Sequence, residues 1–259
     1  MTSNNDESLN ISNLLYDKTV RCPVCDNEFK VRSVRTSSYR IDKKDSDFFI
    51  HYTRINPYFY DIWLCNSCGF AAMKSDFSSL RSSKKELILN TISKRWHPKD
   101  YPSVYNEKIA IERYKLSLIN YTAINAESYK KAMNCLKIAW MYRLSGDIEN
   151  ENTYVKNALQ GFNDAYYNED FPMYGMDRFT VMYLIGELNR RIDNLDEALI
   201  WFGNVITSSM AQQKIKDLAR TQRDLIKEIT QITPTENEEN NTENKNTKKR
   251  FSFINPFKS

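Results

Sequence analysis

Two pairs of cysteines, Cys22-Pro-Val-Cys25 and Cys65-Asn-Ser-Cys68-Gly69, decide the fold of this chain. Two residues between cysteines let a tight turn aim both sulfur atoms at one ion, and two such turns complete a tetrahedral four-thiolate site. Gly69 follows the second pair, where positive φ is often required, and Asp26 holds the equivalent position in the first. The spacing therefore predicts one structural Zn²⁺ per chain, bound by Cys22, Cys25, Cys65 and Cys68.

Other uses of these cysteines fit the sequence less well. Disulfides need an oxidising compartment, and a redox-active pair normally occurs alone within a strand-helix-strand unit. Iron in a rubredoxin-like site takes the same ligands, so spacing alone does not separate it from zinc. Because the protein fills all four coordination positions, no position is left for water or substrate, and we expect a structural role.

Residues 15–80 are predicted to form a zinc-ribbon-like domain. Phe29–Arg32 alternates apolar and basic residues, and Tyr58–Leu64 is rich in aromatic residues, so both segments read as strands. Two hairpins standing on one ion would form a ribbon with an enlarged middle. Within that middle, the charged segment Asp42–Asp47 indicates a solvated loop.

Residues 81–232 are predicted to form a helical domain with a tetratricopeptide-like array, so the expected fold class is α+β. Gly186, Ala198 and Phe202 have the mutual offsets of such a repeat, in which small residues allow close helix packing. A plain helical bundle is the alternative. Apolar spacing of three and four residues marks the helices Lys84–Trp96, Asn106–Asn125, Ser128–Ser145 and Met210–Ile232. Cys135 reads as a small buried hydrophobic residue.

The ends of the chain and its bulk composition are less informative. With 259 residues, 41% of them hydrophobic, and a net charge of +4, the chain suits a packed core and does not by itself imply nucleic acid or a membrane. We expect a flexible N-terminus at 1–14 and a disordered tail at 233–259, whose basic and aromatic end at Lys248–Phe257 suggests a docking peptide, a weak membrane contact or an untethered end. Without a signal sequence or transmembrane segment, the expected location is cytoplasmic.

Several segments resemble a bacterial domain of unknown function, family 2225. They are Lys44–Phe48, Tyr52, Ile55–Cys65, Cys68–Ala72 and Ala139–Arg143. The resemblance covers roughly residues 15–230. It implies a cysteine-knuckle N-terminal part, with the four cysteines as ligands, followed by tetratricopeptide-like helices. The family has no established activity, so the resemblance supports the fold and leaves the function open.

The function expected from this architecture is a non-enzymatic interaction module, an adaptor or scaffold for a protein or peptide partner. Stacked helix pairs present a groove, and its candidate contact residues are Tyr142, Arg143, Tyr183 and Arg190. We also expect Cys→Ser at a ligand to unfold the ribbon and leave the helical part folded, since metal affinity in such a site is folding free energy.

Two other classes of function remain as alternatives. Nucleic-acid binding by the ribbon would use Lys30 and Arg32 on one strand face, with Tyr39 and Tyr52 available for stacking. An enzyme would have to use a site without a known motif. Its candidate residues are His51, His97 and a polar cluster of Asp45, Asp47, Tyr52, Asn56 and Tyr60, for which a hydrogen-bonded scaffold is the simpler interpretation.

Overall fold

The computed structural model describes residues 11–232 of the chain. Small antiparallel strand pairs are followed by helices, which confirms the predicted α+β class. The predicted tail at 233–259 and residues 1–10 of the predicted flexible start lie outside the described residues. The strands are β1 (Leu15–Arg21), β2 (Glu28–Val34), β3 (Ile41–Lys44), β4 (Ile50–Tyr52), β5 (Ile62–Leu64) and β6 (Ala71–Met73). The helices are α1 (Lys85–Thr91), α2 (Glu107–Ala123), α3 (Ser128–Ser145), α4 (Ile148–Asn168), α5 (Arg178–Arg191), α6 (Leu195–Thr207) and α7 (Gln213–Ile232).

Each cysteine pair lies in the turn of a hairpin. β1 pairs antiparallel with β2 from Leu15–Val34 to Arg21–Glu28, and the first pair lies in the connection between these strands. β5 pairs with β6 from Ile62–Met73 to Leu64–Ala71, and the second pair lies in that connection. The predicted ribbon of two hairpins with an enlarged middle is therefore present, and the middle is a third hairpin, β3–β4.

Side chains of α2 satisfy the backbone of the second hairpin. Arg113 Nη2 donates a hydrogen bond of 2.7 Å to the Ile62 carbonyl, and Asn120 Nδ2 donates one of 3.2 Å to the Gly69 carbonyl. The Tyr121 hydroxyl accepts one of 3.1 Å from the backbone N–H of Met73. Because short strands leave many backbone groups unpaired, these buried bonds explain why β5 and β6 are stable against α2.

The helices from α2 to α7 each pack against the next, and α5 also contacts α7. Gly146 has φ of +74° and ends α3, after which Asp147 Oδ1 accepts from Asn150 N at 3.1 Å and begins α4. In α5, a Cβ at Gly186 would lie 2.8 Å from the Phe202 ring of α6. Gly186 therefore allows α5 and α6 to pack closely, as expected for the small residue of the repeat. The tetratricopeptide-like classification stays a prediction.

One hydrophobic core runs through both parts of the chain. The same cluster of buried side chains contains Cys22 and Cys65 of the hairpins and extends to Ile226 of α7. A smaller cluster around Leu15 is covered by partly buried residues that include Ile11 and Leu14. The boundary near residue 80 stays a prediction. A continuous core does not favour independent unfolding of the two parts, so we now expect loss of the metal site to destabilise both.

The structure corrects three local expectations. The segment Asp42–Asp47 is not a solvated loop throughout, because β3 reaches Lys44 and the Asp47 side chain is completely buried. The predicted strand at Tyr58–Leu64 begins as a 3₁₀ turn, Pro57–Tyr60, since Asn56 Oδ1 accepts from Tyr58 N at 3.0 Å and Pro57 favours the first helical position. Likewise, the predicted helix Lys84–Trp96 ends at Thr91 and continues as a 3₁₀ turn, Ser93–Arg95.

Two glycines offer a matched test of the helix packing. Gly186→Ala should lower the free energy of unfolding by about 1–3 kcal/mol, because the added methyl group meets the buried Phe202 ring. A Cβ at Gly203 of α6 would contact nothing within 4 Å, so Gly203→Ala should raise that free energy by about 0.5–1 kcal/mol through helix propensity. Urea unfolding measures both. Equal effects of the two substitutions would contradict the close contact between α5 and α6.

Candidate metal centre and bound loop

The four cysteines form one cluster. Their sulfur atoms all lie within 4.8 Å of one another, with Cys22 to Cys68 at 3.6 Å and Cys25 to Cys65 at 3.6 Å. These distances exclude disulfide bonds, whose sulfur atoms are about 2.05 Å apart. Four metal–sulfur bonds of about 2.3 Å at tetrahedral angles would place the sulfur atoms roughly 3.8 Å apart. The cluster therefore fits one ion held by four thiolates.

Backbone hydrogen bonds shape the two turns in the same way. Cys22 N donates to the Asn27 carbonyl and Cys65 N to the Phe70 carbonyl, both at 2.9 Å. Asp26 has φ of +59° and Gly69 has φ of +76°, so both turns need the left-handed conformation predicted for these positions. The two pairs are equivalent halves of one site.

The segment 93–99 holds the second turn from outside. Ser93 Oγ donates 2.7 Å to the Cys68 carbonyl, and Trp96 Nε1 donates 2.8 Å to the Asn66 carbonyl. The Trp96 ring also covers Gly69, where a Cβ would lie 2.7 Å from it. Gly69 is therefore required both by its φ and by this contact. The 3₁₀ turn after α1 thus covers the metal-binding hairpin.

The chemistry of the donors also fits a cation. Hydrogen bonding with the sulfur atoms of Cys22 and Cys65 raises the pKa of the Cys68 thiol, so binding of a metal ion to this sulfur would displace its proton. Within residues 11–232, no other group of histidine, cysteine and acidic side chains is close enough to hold a metal ion. Cys135 is buried in α3 and lies outside the cluster, as the sequence indicated.

A second polar centre lies where the β3–β4 loop, residues 45–49, rests on the helices. The Asp47 carboxylate is fully buried and pairs with Arg143 Nη2 at 2.6 Å and with Arg191 Nε at 3.3 Å. Trp140 Nε1 donates 3.1 Å to the same carboxylate. A buried carboxylate is stable only when it is paired and hydrogen-bonded in this way. These contacts fix the loop on α3 and α5.

Asp45 extends the ion network toward the surface. Its carboxylate lies 2.8 Å from Arg143 Nη1 and 2.9 Å from His51 Nε2. Burial raises the pKa of Asp45, but hydrogen bonds from His51 and Arg143 outweigh burial and hold it below its usual value. The ionised carboxylate therefore stabilises the fold above the pKa of the unfolded chain, and this contribution is lost as pH falls through the folded pKa.

Helix α5 also recognises the backbone of the loop. The Tyr183 hydroxyl donates 2.9 Å to the Ser46 carbonyl, and Ser46 Oγ donates 2.6 Å to Glu187 Oε1. Glu187 is fully buried and accepts from Arg190 Nε at 2.8 Å and from Arg191 Nε at 2.9 Å. The helices therefore bind this hairpin turn through the charge of Asp47 and through the hydroxyl and carbonyl oxygen of Ser46.

The four predicted groove residues make contacts within the chain. Arg143 and Tyr183 bind the loop, and Arg190 binds Glu187. Tyr142 accepts 2.7 Å from Lys115 Nζ and stacks on Tyr154 at 5.6 Å. Their role in binding a partner stays a prediction. Sequence reasoning missed Ser46, Glu187 and Arg191, although Asp47 and Arg143 fall in the two segments on which the family resemblance rests.

The residues named for the alternatives do not gather into one site. Arg32 pairs with Asp17 at 3.0 Å while Lys30 is exposed, and the Tyr39 and Tyr52 rings meet edge to face at 5.8 Å. Asn56 begins the 3₁₀ turn, and the Tyr60 hydroxyl accepts 3.0 Å from Tyr105 N. His51 adjoins Asp45, whereas His97 is exposed beside Trp96.

The fold and site define a class of protein in which a four-cysteine ribbon is packed on a helical array. The chain belongs to the family described as "Uncharacterized protein conserved in bacteria (DUF2225)", whose model matches residues 15–226. It is similar to an uncharacterized protein of Borreliella burgdorferi strain B31, with 24% identity over 153 residues, 51% of this chain and 53% of that protein. The chain therefore spans about half the length of this relative. No solved structure matches significantly.

None of the helices in residues 11–232 combines the length and apolar character needed to cross a lipid bilayer.

The cysteine cluster predicts a metal-dependent stability of both parts of the chain. Cys65→Ser should abolish metal binding and lower the melting temperature by ~10 °C or more, in one transition that includes the helices, because the core is continuous. Cys135→Ala is the matched control, since it removes a buried thiol outside the cluster and should keep one metal per chain. Circular dichroism and elemental analysis give the readouts. Helices that melt at the wild-type temperature in Cys65→Ser would contradict this coupling.

The loop contacts predict that the same substitution affects stability very differently at a buried and at an exposed aspartate. Asp47→Asn should lower the free energy of unfolding by about 3 kcal/mol, because it leaves the buried charges of Arg143 and Arg191 less well compensated. The control Asp42→Asn makes the same chemical change at an exposed position of β3 and should have an effect within about 0.5 kcal/mol. Urea unfolding monitored by tryptophan fluorescence compares them. Similar values for the two variants would show that the buried ion pairs do not hold the loop.

Proposed function

We propose that this protein is a non-enzymatic interaction module in which one structural zinc ion stiffens a ribbon packed on a peptide-binding helical surface. Its partner is a protein or a peptide segment. A cytoplasmic location suits this function, because thiolate ligands stay reduced there.

The donor set supports zinc as the ion. Four thiolates in a tetrahedral arrangement are a preferred environment for Zn²⁺, and soft sulfur ligands exclude magnesium and calcium. Cys22, Cys65 and Cys68 are buried, and the covering segment at Ser93 and Trp96 closes the second turn. A site whose four positions are all supplied by the protein stabilises a fold and leaves no position for a substrate.

The observation that carries the interaction role is the binding of the loop 45–49. The helices hold this hairpin turn through an arginine pair to Asp47, a hydroxyl to the Ser46 carbonyl and a buried carboxylate to the Ser46 hydroxyl. Recognition of main-chain carbonyls together with charged side chains is the usual way in which proteins bind peptides. The loop thus provides a model, within the chain, of the kind of segment that this helical surface accepts.

The acid and base groups of this region support a role without catalysis. Asp45, Asp47 and Glu187 are each paired with arginine, and such pairing suits a stabilising network better than proton transfer to a substrate. Adaptor function also agrees with a closed metal site. The arginine-paired carboxylates and the closed metal site together favour a binding role over catalysis.

The test is in-cell cross-linking of the tagged full chain, followed by reconstitution from purified proteins. We expect one recurrent partner protein that rebinds the zinc-loaded chain at a fixed stoichiometry, because the proposed surface is preformed. The Cys65→Ser chain, which loses the metal, should bind that partner much more weakly.

The control is the Cys135→Ala chain, which keeps the metal cluster and should retain the partner. Failure to recover any partner that rebinds in purified form would overturn the interaction role. Catalytic turnover by the purified chain in an activity screen would overturn the non-enzymatic assignment.

A further inference from the structure

A groove continues along the helices beside the bound loop. It encloses about 370 Å³ between α3, α5 and α7. Its apolar walls are formed by Met133, Leu136, Leu184, Ile215 and Leu218. Phe48 of the loop lines the same groove, so the groove begins where the loop ends. Three different helices and the ribbon thus contribute to one apolar channel.

Two lysines carry positive charge at this groove. Lys44 is the last residue of β3 and Lys214 lies in the first turn of α7, and both are exposed. Burial and the neighbouring charge of Lys214 lower the pKa of Lys44. Among the described residues, no ion pair joins either lysine to an acidic side chain, and Asp47, which also lines the groove, is paired with Arg143 and Arg191. Lys44 Nζ lies over the Phe48 ring at 4.6 Å. Two repelling cations beside an apolar groove are electrostatically complementary to carboxylates.

The adjoining loop shows which side chains this helical surface accepts. Its sequence is Asp45-Ser-Asp-Phe-Phe49, so acidic residues stand next to aromatic ones. The acidic residues bind arginine, while the Phe49 ring stacks on Trp140 at 5.3 Å and the Phe48 ring meets Tyr183 at 5.4 Å. The groove repeats this combination of a cationic rim and an apolar floor.

We infer that the groove between α3, α5 and α7 binds an extended segment of a partner protein in which carboxylate side chains flank one or two large apolar side chains. The apolar side chains enter between Leu184 and Leu218, and the carboxylates pair with Lys44 and Lys214. This inference rests on the proposed interaction role and names the chemistry of the partner.

The end of this chain has the wrong charge for the groove. Its apolar residues, from Phe251 onward, directly follow Lys248-Lys249-Arg250. A basic segment would be repelled by Lys44 and Lys214, so charge complementarity favours an acidic segment from another protein.

The test is selection of random ten-residue peptides, displayed on phage, on the immobilised zinc-loaded full chain. We expect enriched peptides to carry Asp or Glu within two positions of Leu, Ile, Met or Phe. The consensus peptide, labelled with fluorescein, is then titrated by anisotropy. Lys44→Glu with Lys214→Glu should weaken its binding by about tenfold or more, because the two ammonium groups that attract the peptide's carboxylates are replaced by carboxylates that repel them.

The matched control is Lys43→Glu with Lys227→Glu, which makes the same charge change at exposed positions of β3 and α7 outside the groove. Its affinity should stay within about twofold of wild type. Equal binding by the two double variants, enrichment of basic peptides, or no enrichment at all would overturn the inference.

Failure of the groove inference can be distinguished from failure of the proposed interaction role. A native partner that binds the chain carrying Lys44→Glu and Lys214→Glu as tightly as wild type overturns the groove inference and leaves the interaction role standing. Acidic peptide binding without any native partner would overturn the interaction role and support the groove chemistry.

Discussion

The confinement of four cysteine sulfur atoms within 4.8 Å of one another is the constraint on which the rest of this structure depends. Four thiolates this close would repel one another unless a cation lay among them, so the cluster suits an ion that joins the two hairpins. Neither hairpin is long enough to be stable alone, since isolated two-stranded hairpins are marginal in water. Arg113 and Asn120 of α2 and Trp96 of the segment 93–99 add hydrogen bonds to the second hairpin.

The second constraint is the buried charge of Asp47, which ties the enlarged middle of the ribbon to the helices. Removing a carboxylate from water is costly, and the paired guanidinium groups of Arg143 and Arg191, together with the hydrogen bond from Trp140, offset that cost. Buried ion pairs of this kind contribute more to the specificity of an arrangement than to its net stability, and we interpret this one as setting where the loop lies. The bound loop then forms one end of the groove that carries Lys44 and Lys214.

The clustering of the four cysteines and the fold class were predictable because they depend on local patterns. A spacing of two residues defines a cysteine turn, and α3 was predicted with its observed bounds, Ser128–Ser145, because its apolar residues repeat at helical intervals. The position of Asp47 was not predictable in this way. Its partners lie 96 and 144 residues further along the chain, and a charged segment between strands normally faces water. Only the recurrence of Lys44–Phe48 and Ala139–Arg143 in one family resemblance linked the two sides of the contact.

Metal identity and coordination measured on the purified native protein test the central claim most directly. The account predicts one zinc ion per chain by elemental analysis, and four sulfur neighbours at about 2.3 Å in the X-ray absorption spectrum at the zinc edge. Iron in place of zinc would contradict the identity that the account assigns to the ion. A chain that purifies folded without metal, or a spectrum with nitrogen or oxygen in the first coordination shell, would contradict the closed structural site.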